Sequence, residues 1–536
     1  MTRRLGVSRV TRRARRAALA VATVGLLMPL AACGSGATKD ADGGGPTADP
    51  STYDREATIR VGTPSPFSAL DPAKQANIGE NTYTFLIYDS LTQMDASYQV
   101  QPMLATSWEF AADGSSLTLK LRDDVTFNDG APFDAEVVKT NIERGKTMEG
   151  SSLVAALAPI DQVVVEDPHT VRLDLVPGLG ADLPATFALN AGMMVSPKAL
   201  AERADELALD PGTAGSGPYV PVEVKTGEQV TFERSDDYWN EDTAYAATLV
   251  VRTVADQAAR LNGVQTGALD VAQISGSAPV QEALALVERG AVQGDKIAQI
   301  TPVVLMVNAE RGDLAKPEVR EAIGLAVNRT EIVEGLFSGN ASPATQFYPE
   351  DYWAADPDLA APELDIDAAK ALVEQAGGAE ITIAAATGST AEPVAQALQT
   401  QLGAVGIEVD LQSIPFAQID EMYRRGELDA QVVNASPAPD PASTLTYYVT
   451  DGFAAARGFG DVLGTLPAEA ADPTKSLDER AAKYQEIWKV MADNDMWTPI
   501  VRSEQVWVRS DKIANVPNLP WVRSGFPSYR DIAMVK

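Results

Sequence analysis

The chain has 536 residues, with 43 Lys and Arg against 74 Asp and Glu, for a net charge of −31. A surface this acidic repels nucleic acid and anionic lipid, so neither is expected as a partner. With 45% hydrophobic residues, one Cys and one His, the sequence reads as two or three globular domains without disulfides.

The N-terminus carries Arg3, Arg4, Arg9, Arg12, Arg13, Arg15 and Arg16, followed by an apolar run over residues 17–30. A basic start, a short apolar run and small residues before a cut make a secretory signal. The run falls short of the ~20 apolar residues that a membrane span needs. It ends in Leu30-Ala31-Ala32-Cys33, which resembles a bacterial lipoprotein box. That resemblance implies cleavage after residue 32 and diacylation of the Cys33 thiol, since two acyl chains anchor stably where one does not. An ordinary signal peptide with an incidental cysteine is the alternative. Removing residues 1–32 takes away seven Arg and no acid, leaving 36 basic residues against 74 acidic, or −38. Residues 33–54, rich in Gly, Ser, Thr, Ala, Asp and Pro, are expected to be a flexible tether.

Folded sequence begins with an alternating strand over 57–61, a turn at Leu70-Asp71-Pro72 and a helix over 83–91. Trp108 and Phe110, the turn Asp113-Gly114, and Leu117, Leu119 and Leu121 predict a hairpin. Asp134 caps a helix with Val138 and Ile142 on one face. A second hairpin turns at Asp167-Pro168 and a third at Thr226-Gly227. Between them, Ser196-Pro197 opens a helix. A helix over 255–266 and a short strand over 268–272 follow.

Val303-Val304-Leu305-Met306-Val307 reads as a buried strand. Pro317 opens a helix with Val319, Ala322, Ile323 and Ala326 on one stripe. Asp367 is the expected cap of a helix that stops at Gly377-Gly378. Residues 380–386, 394–405 and 406–411 form a strand–helix–strand unit long enough for a parallel crossover. Ser476 and Glu479 make a capping box, and Pro499-Ile500-Val501 a late strand. Early hairpins and late crossovers predict a mixed α/β protein with more than one lobe.

Little in the chain points to catalysis. His169 is the sole histidine, beside Pro168 in a hairpin turn, so any Ser–His–Asp triad would have to use it. No His or Cys cluster can hold a metal, and no glycine-rich phosphate loop is visible. Neither a catalytic residue, a cofactor nor a metal is expected. A carboxylate-pair glycosidase is not excluded by spacing, though no pair stands out among 74 acids. The seven tryptophans (Trp108, Trp239, Trp353, Trp488, Trp497, Trp507, Trp521) are core candidates, a few of which would line any large cleft.

Leu104-Ala105-Thr106-Ser107-Trp108-Glu109, Asp113-Gly114 and the run from Leu121-Arg122-Asp123-Asp124 through Phe127-Asn128-Asp129-Gly130 to Phe133 resemble the family 5 extracellular solute-binding proteins. These are the peptide, nickel and oligosaccharide receptors of ABC importers. Gly215-Ser216-Gly217-Pro218-Tyr219, Asp237-Tyr238-Trp239, Val319-Arg320-Glu321-Ala322, Ala326-Val327-Asn328-Arg329 and Gly406-Ile407-Glu408-Val409 keep the family's order. The likeness covers residues 57–510.

The resemblance implies a bilobal periplasmic-binding-protein-like α/β fold of type II. Lobe I would be 55–90, 191–300 and 496–536, an extra domain 91–190, and lobe II 301–495. It implies a monomer that binds a solute, by preference a peptide, in the interlobe cleft by hinge closure. The solute would pass to an ABC permease and ATPase outside the cytoplasmic membrane. By position, Asn77 and Ile78 match a cleft-lining segment. Asn434, Ala435 and Ser436, in the stretch running on to Asp440 and Pro441, match the strand and loop that receive an extended peptide. Peptide binders carry an acid where this chain has Pro437, and usually a tryptophan where it has Asn434. Asp440 is then either a substitute acid or a cap for the turn before Pro441. Two rivals to transport are a secreted peptide or glycoside hydrolase, and a lipoprotein sensor on the same fold.

Overall fold

A computed structural model describes residues 49–450 and 457–536, which lie in one compact unit. Cys33, the signal and most of the expected tether fall outside the described residues. No described helix is long and apolar enough to cross a membrane.

Two long antiparallel strands, Gln293–Val307 and Trp497–Arg509, lie at the centre of an eleven-stranded sheet. On one side of this pair come Val271–Ile274, Thr58–Thr63, Thr248–Thr253, Gln229–Arg234 and Tyr219–Lys225. On the other come Ala430–Asn434, Ala379–Ala386 and Ile407–Ile414. Each long strand serves both halves. Residues 506–509 pair with Val271–Ile274 in the first lobe, and residues 303–307 pair with Ala430–Asn434 in the second. The pairing between them is regular from Gln293 to Ala298 and from Val304 to Met306, with irregularities between Ala298 and Pro302 and between Val303 and Val304. At the first, residues 299–301 face Ser503 alone, so the ladder is broken where the chain passes between lobes.

Arg502 fills this break. It is buried, and its Nε donates to Ile300 O at 3.3 Å while Nη2 donates to Gln346 O and Phe347 O at 3.1 and 3.2 Å. Burial lowers its pKa to about 10. The guanidinium thus satisfies backbone carbonyls beside the interrupted ladder.

A separate four-stranded sheet, in the order Ala105–Phe110, Ser116–Leu121, Thr170–Leu175, Ile160–Asp167, packs on the helix Ala135–Thr147. Leu117, Leu119, Val138, Ile142, Val171 and Leu173 make its core. Local signals behave as their chemistry requires. Asp134 accepts from Glu136 N and Val137 N, Ser196 from Lys198 N and Ala199 N, and Ser476 with Glu479 closes a capping box. Gly227 turns its hairpin with φ +74°.

Several expectations need correction. The cap of the helix Ile366–Gln375 is Asp365, not Asp367; the carboxylate one position before the helix is the one that reaches Ala368 N. The helix expected over 83–91 is the shorter Asn81–Ile87. Residues 303–307 and 499–501 are strands as expected, each part of a longer one. The tether ends earlier than 54, because Tyr53 is buried, stacks edge-on against Tyr245 and bridges Val535.

One apolar cluster runs without a gap from Ile59 and Val61 in the first lobe, through Ile300, Val304 and Trp497, to Phe347 and Trp488 in the second. The second lobe's helices pack on their own core around Leu305, Ile323, Ile383 and Val394.

Candidate functional site

The two lobes and the four-stranded domain meet along an aromatic-walled crevice. Tyr98 stands between Trp521 and Tyr352, with ring centroids 5.6 and 6.3 Å away. Tyr352 stacks on Tyr348 at 4.2 Å, and Trp353 meets Tyr484 edge-on at 5.7 Å. A cavity of about 290 Å³ remains, lined by Tyr98, Val100, Trp108, Trp353, Asp440 and Arg480 among others. That is the low end of the size of small-ligand pockets, and the mix of aromatic wall with few charges suits them.

Polar contacts close the crevice. Ser443 Oγ donates to Asp182 Oδ2 at 2.5 Å, and Arg480 Nη1 donates to Ala181 O at 3.4 Å. Arg523 pairs with Asp351 at 3.0 Å. The hairpin tip at Gly114 approaches the 473–474 turn so closely that a Cβ there would lie 3.0 Å from Pro473. These contacts describe a closed arrangement.

Arg480 is the charged centre of the cavity wall. It projects from the buried face of the helix Leu477–Asp493, shared with Tyr484, Ile487, Trp488 and Met491. Its Nη2 donates to both Asp440 oxygens at 2.8 and 2.9 Å, and its guanidinium lies 5.5 Å from the Trp353 ring centroid. Burial raises the Asp440 pKa against the opposing pull of Arg480. Burial works against the Arg480 charge too, but Asp440 and Tyr484 outweigh it and raise its pKa.

The structure separates the residues that the sequence grouped. Asn77 caps the turn Ile78–Glu80 through Gly79 N; Asn77 and Ile78 are exposed and line none of the described cavities. Asn434 is exposed, accepts from Thr390 Oγ1 at 2.8 Å, and lines a recess of about 270 Å³ with Thr387, Ser389 and Phe416. That recess sits at the carboxyl ends of the second lobe's parallel strands, the usual ligand side of such sheets. Ala435 is fully buried and its N–H donates to Pro302 O at 2.9 Å. Ser436 is exposed. Asp440 is both the cap, accepting from Ala442 N at 2.9 Å, and the partner of Arg480.

The loop from 436 to 440 is held from behind by three tyrosines. Tyr448 donates to Ser436 O at 3.4 Å, Tyr348 to Ala438 O at 2.9 Å, and Tyr352 to Pro439 O. Pro437 and Pro439 offer no N–H, and Ala438 N donates to Thr444 Oγ1 at 2.8 Å. These backbone groups are engaged within the protein, so the loop offers side chains rather than a strand edge. Tyr98, Trp353 and Arg480 were not singled out from sequence as site residues. The inward spacing of Arg480 with Tyr484 and Trp488 was the signal available.

Among the described residues, no group lining the crevice has the arrangement of a nucleophile with its base. His169 sits in the hairpin turn of the four-stranded domain, its N–H donating to Asp167 Oδ1, beside Thr106, Arg122 and Asp124. No cluster of three metal-ligating side chains occurs among the described residues.

The profile of the bacterial extracellular solute-binding proteins, family 5 middle region, matches residues 99–456. The chain belongs to this family. Among curated relatives of this family 5 protein is the glutathione-binding protein GsiB of Pectobacterium atrosepticum, 29% identical over 382 residues, spanning 68% of this chain and 70% of the relative. GsiB of Salmonella paratyphi A is 28% identical over 491 residues, 88% and 93% of the two chains. In fold it is similar to the periplasmic binding protein DppA of Helicobacter pylori in complex with the peptide STSA. That likeness has a TM-score of 0.73 at 22% identity, covering 90% of this chain and 98% of the other. NikA of Brucella suis with Fe(III)-EDTA gives 0.78 at 22%, covering 90% and 100%. The protein is thus a solute-binding protein of bilobal fold and not an enzyme.

Proposed function

We propose that this family 5 protein captures a small peptide-type solute in the aromatic crevice and hands it to the permease and ATPase of an ABC importer. The carrying observation is the cavity between Tyr98, Trp353 and the Arg480–Asp440 pair, with two irregular strands joining the lobes in one sheet. A hinge of this kind lets the walls part and close, and solute favours the closed form by touching both. Relatives named for glutathione, a tripeptide, and a fold neighbour holding a tetrapeptide support the ligand class.

In this reading Arg480 faces the solute carboxylate and Trp353, Tyr98 and Trp108 its apolar parts. Asn434 and Ser436 contribute from the second lobe, and Asn77 and Ile78 from the first. Lobe I comprises 55–90, 191–300 and 496–536, the extra domain 91–190 and lobe II 301–495. The body works as a monomer on the outer face of the cytoplasmic membrane, held by two acyl chains on Cys33. Isothermal titration of the purified protein with glutathione, tripeptides and oligosaccharides tests this. One-site binding of a peptide, recovered uncleaved, is expected. Binding of oligosaccharide alone overturns the ligand class.

A further inference from the structure

A second cavity, larger than the crevice, lies elsewhere. About 500 Å³ in volume, it is lined by residues within 324–362 and 489–495 of the second lobe and by Trp497, Thr498 and Pro499 at the start of the long strand that crosses between the lobes. None of the crevice-wall residues from the first lobe or the four-stranded domain takes part.

Arg329 opens into it. The side chain is 7% exposed, and its Nε donates to Pro499 O at 2.9 Å. Its two terminal nitrogens have no hydrogen-bond or ion-pair partner among the described residues. A buried guanidinium with empty donors and no counter-charge is costly, and burial lowers its pKa to about 10.

The same cavity carries an acid in the complementary condition. Asp495 is half-buried, forms no side-chain hydrogen bond or ion pair, and sits at φ +48°. Burial raises its pKa to about 6. Of the other charges, Asp358 is exposed to solvent and the rest are engaged. Lys489 pairs with Asp493 at 2.8 Å, and Asp356 Oδ1 accepts from Asp358 N at 3.0 Å. Trp497 supplies a flat wall, and Thr345 and Thr498 supply hydroxyls.

A plain anion would answer Arg329 but meets Asp356, Asp358, Asp493 and Asp495 on a chain of charge −31. A plain cation would answer Asp495 but meets a buried guanidinium. A molecule bearing both charges satisfies each unpaired group. We propose that this cavity is a second binding site, separate from the crevice, for a small zwitterion of the α-amino acid class. Its carboxylate is taken by Arg329 and its ammonium by Asp495.

The test is calorimetric titration of the purified protein with glycine, acetate, methylammonium and inorganic phosphate. Glycine is expected to bind, and acetate, methylammonium and phosphate each to bind at least about tenfold more weakly, since a hydrogen bond to a charged group is worth roughly 1.5–3 kcal/mol. Asp495→Asn and Arg329→Gln should each cost glycine at least about tenfold by the same reckoning. Arg329→Lys should restore part of the loss. Asn suits the left-handed backbone of residue 495 and removes a buried charge, so Asp495→Asn stays folded and its loss of binding cannot reflect unfolding. Tyr98→Ala, in the crevice, should leave glycine binding unchanged. No glycine binding to the parent protein, or equal binding by Asp495→Asn, overturns the proposal. So does phosphate binding as well as glycine, which marks a simple anion site. Loss through Tyr98→Ala instead assigns the glycine to the crevice.

Discussion

Ser443 and Asp182, from opposite walls of the crevice, meet in a 2.5 Å hydrogen bond from hydroxyl to carboxylate. Ser443 lies in the short helix Pro441–Leu445 and Asp182 just before the short helix Leu183–Thr186, so the bond joins two elements 261 residues apart in the chain. It spans the crevice, so parting the walls would break it. Ser443→Ala should therefore leave thermal stability nearly unchanged while shifting the lobes toward open. A hydrogen bond to a charged group is worth about 1.5–3 kcal/mol, so solute affinity should fall by about tenfold or more. Calorimetry with the transported solute checks it; unchanged affinity would show that the bond does not contribute to closure.

Arg480 and Asp440 should behave asymmetrically. Arg480→Ala strands a buried carboxylate and should cost about 3–5 kcal/mol of stability at pH 7. Replacing both, as Arg480→Met with Asp440→Asn, should recover much of that. The pH sign follows from burial, which already raises the Asp440 pKa and is opposed by Arg480. Without Arg480 the raised pKa rises further. The carboxyl's contribution is then present at low pH, where it is protonated in both states, and is lost as pH climbs through the folded value. Urea denaturation of Arg480→Ala should thus show a smaller deficit at pH 5 than at pH 7.5.

Asp495 gives a second pH test with the same sign. Its pKa is raised to about 6 by burial, with Glu321 and Asp493 adding repulsion and Arg320 opposing. The protonated form is favoured in the folded state, so that stabilisation is intact below pH 4 and disappears as pH passes 6. Asp495→Asn should raise the melting temperature at pH 7.5 and make little difference at pH 4.5. A constant difference across that range would show that the charge is not the cause.

Gly215 and Gly217 are required by close approach. A Cβ on Gly215 would lie 1.8 Å from Ile87 O, and one on Gly217 2.6 Å from the same oxygen. Both neighbours are backbone and cannot rotate away. Gly215→Ala should cost roughly 3 kcal/mol through overpacking. Chemical denaturation should show it, and a fully stable variant would mean that the helix Asn81–Ile87 can shift.

Much of the fold is legible because its signals are local. Asp134, Ser196 and the Ser476–Glu479 box cap the helices at which the sequence places them, and Thr226-Gly227 turns its hairpin. The hinge is not legible in this way. Residues 293–299 are mostly polar and 502–505 hold Arg, Ser, Glu and Gln, so neither shows the apolar alternation of a strand. They form strands because 293–298 pair with 504–509, and 502–503 pair with 341–342 while 502 also pairs with 302, a property of the assembled sheet. The site follows the same division. Asp440 was legible as a cap from its place before Pro441, whereas its pairing with Arg480, 40 residues on, is a tertiary contact. The tyrosines that engage the 436–440 loop lie at 348, 352 and 448, and no spacing within the loop announces them.

The central claim is that two walls joined by an irregular pair of strands close over a solute. Small-angle X-ray scattering of the purified protein, before and after saturation with a bound peptide, tests it most directly. The account predicts a smaller radius of gyration in the presence of peptide, and a loss of that change in Ser443→Ala at sub-saturating peptide. An identical scattering profile with and without bound peptide would contradict it.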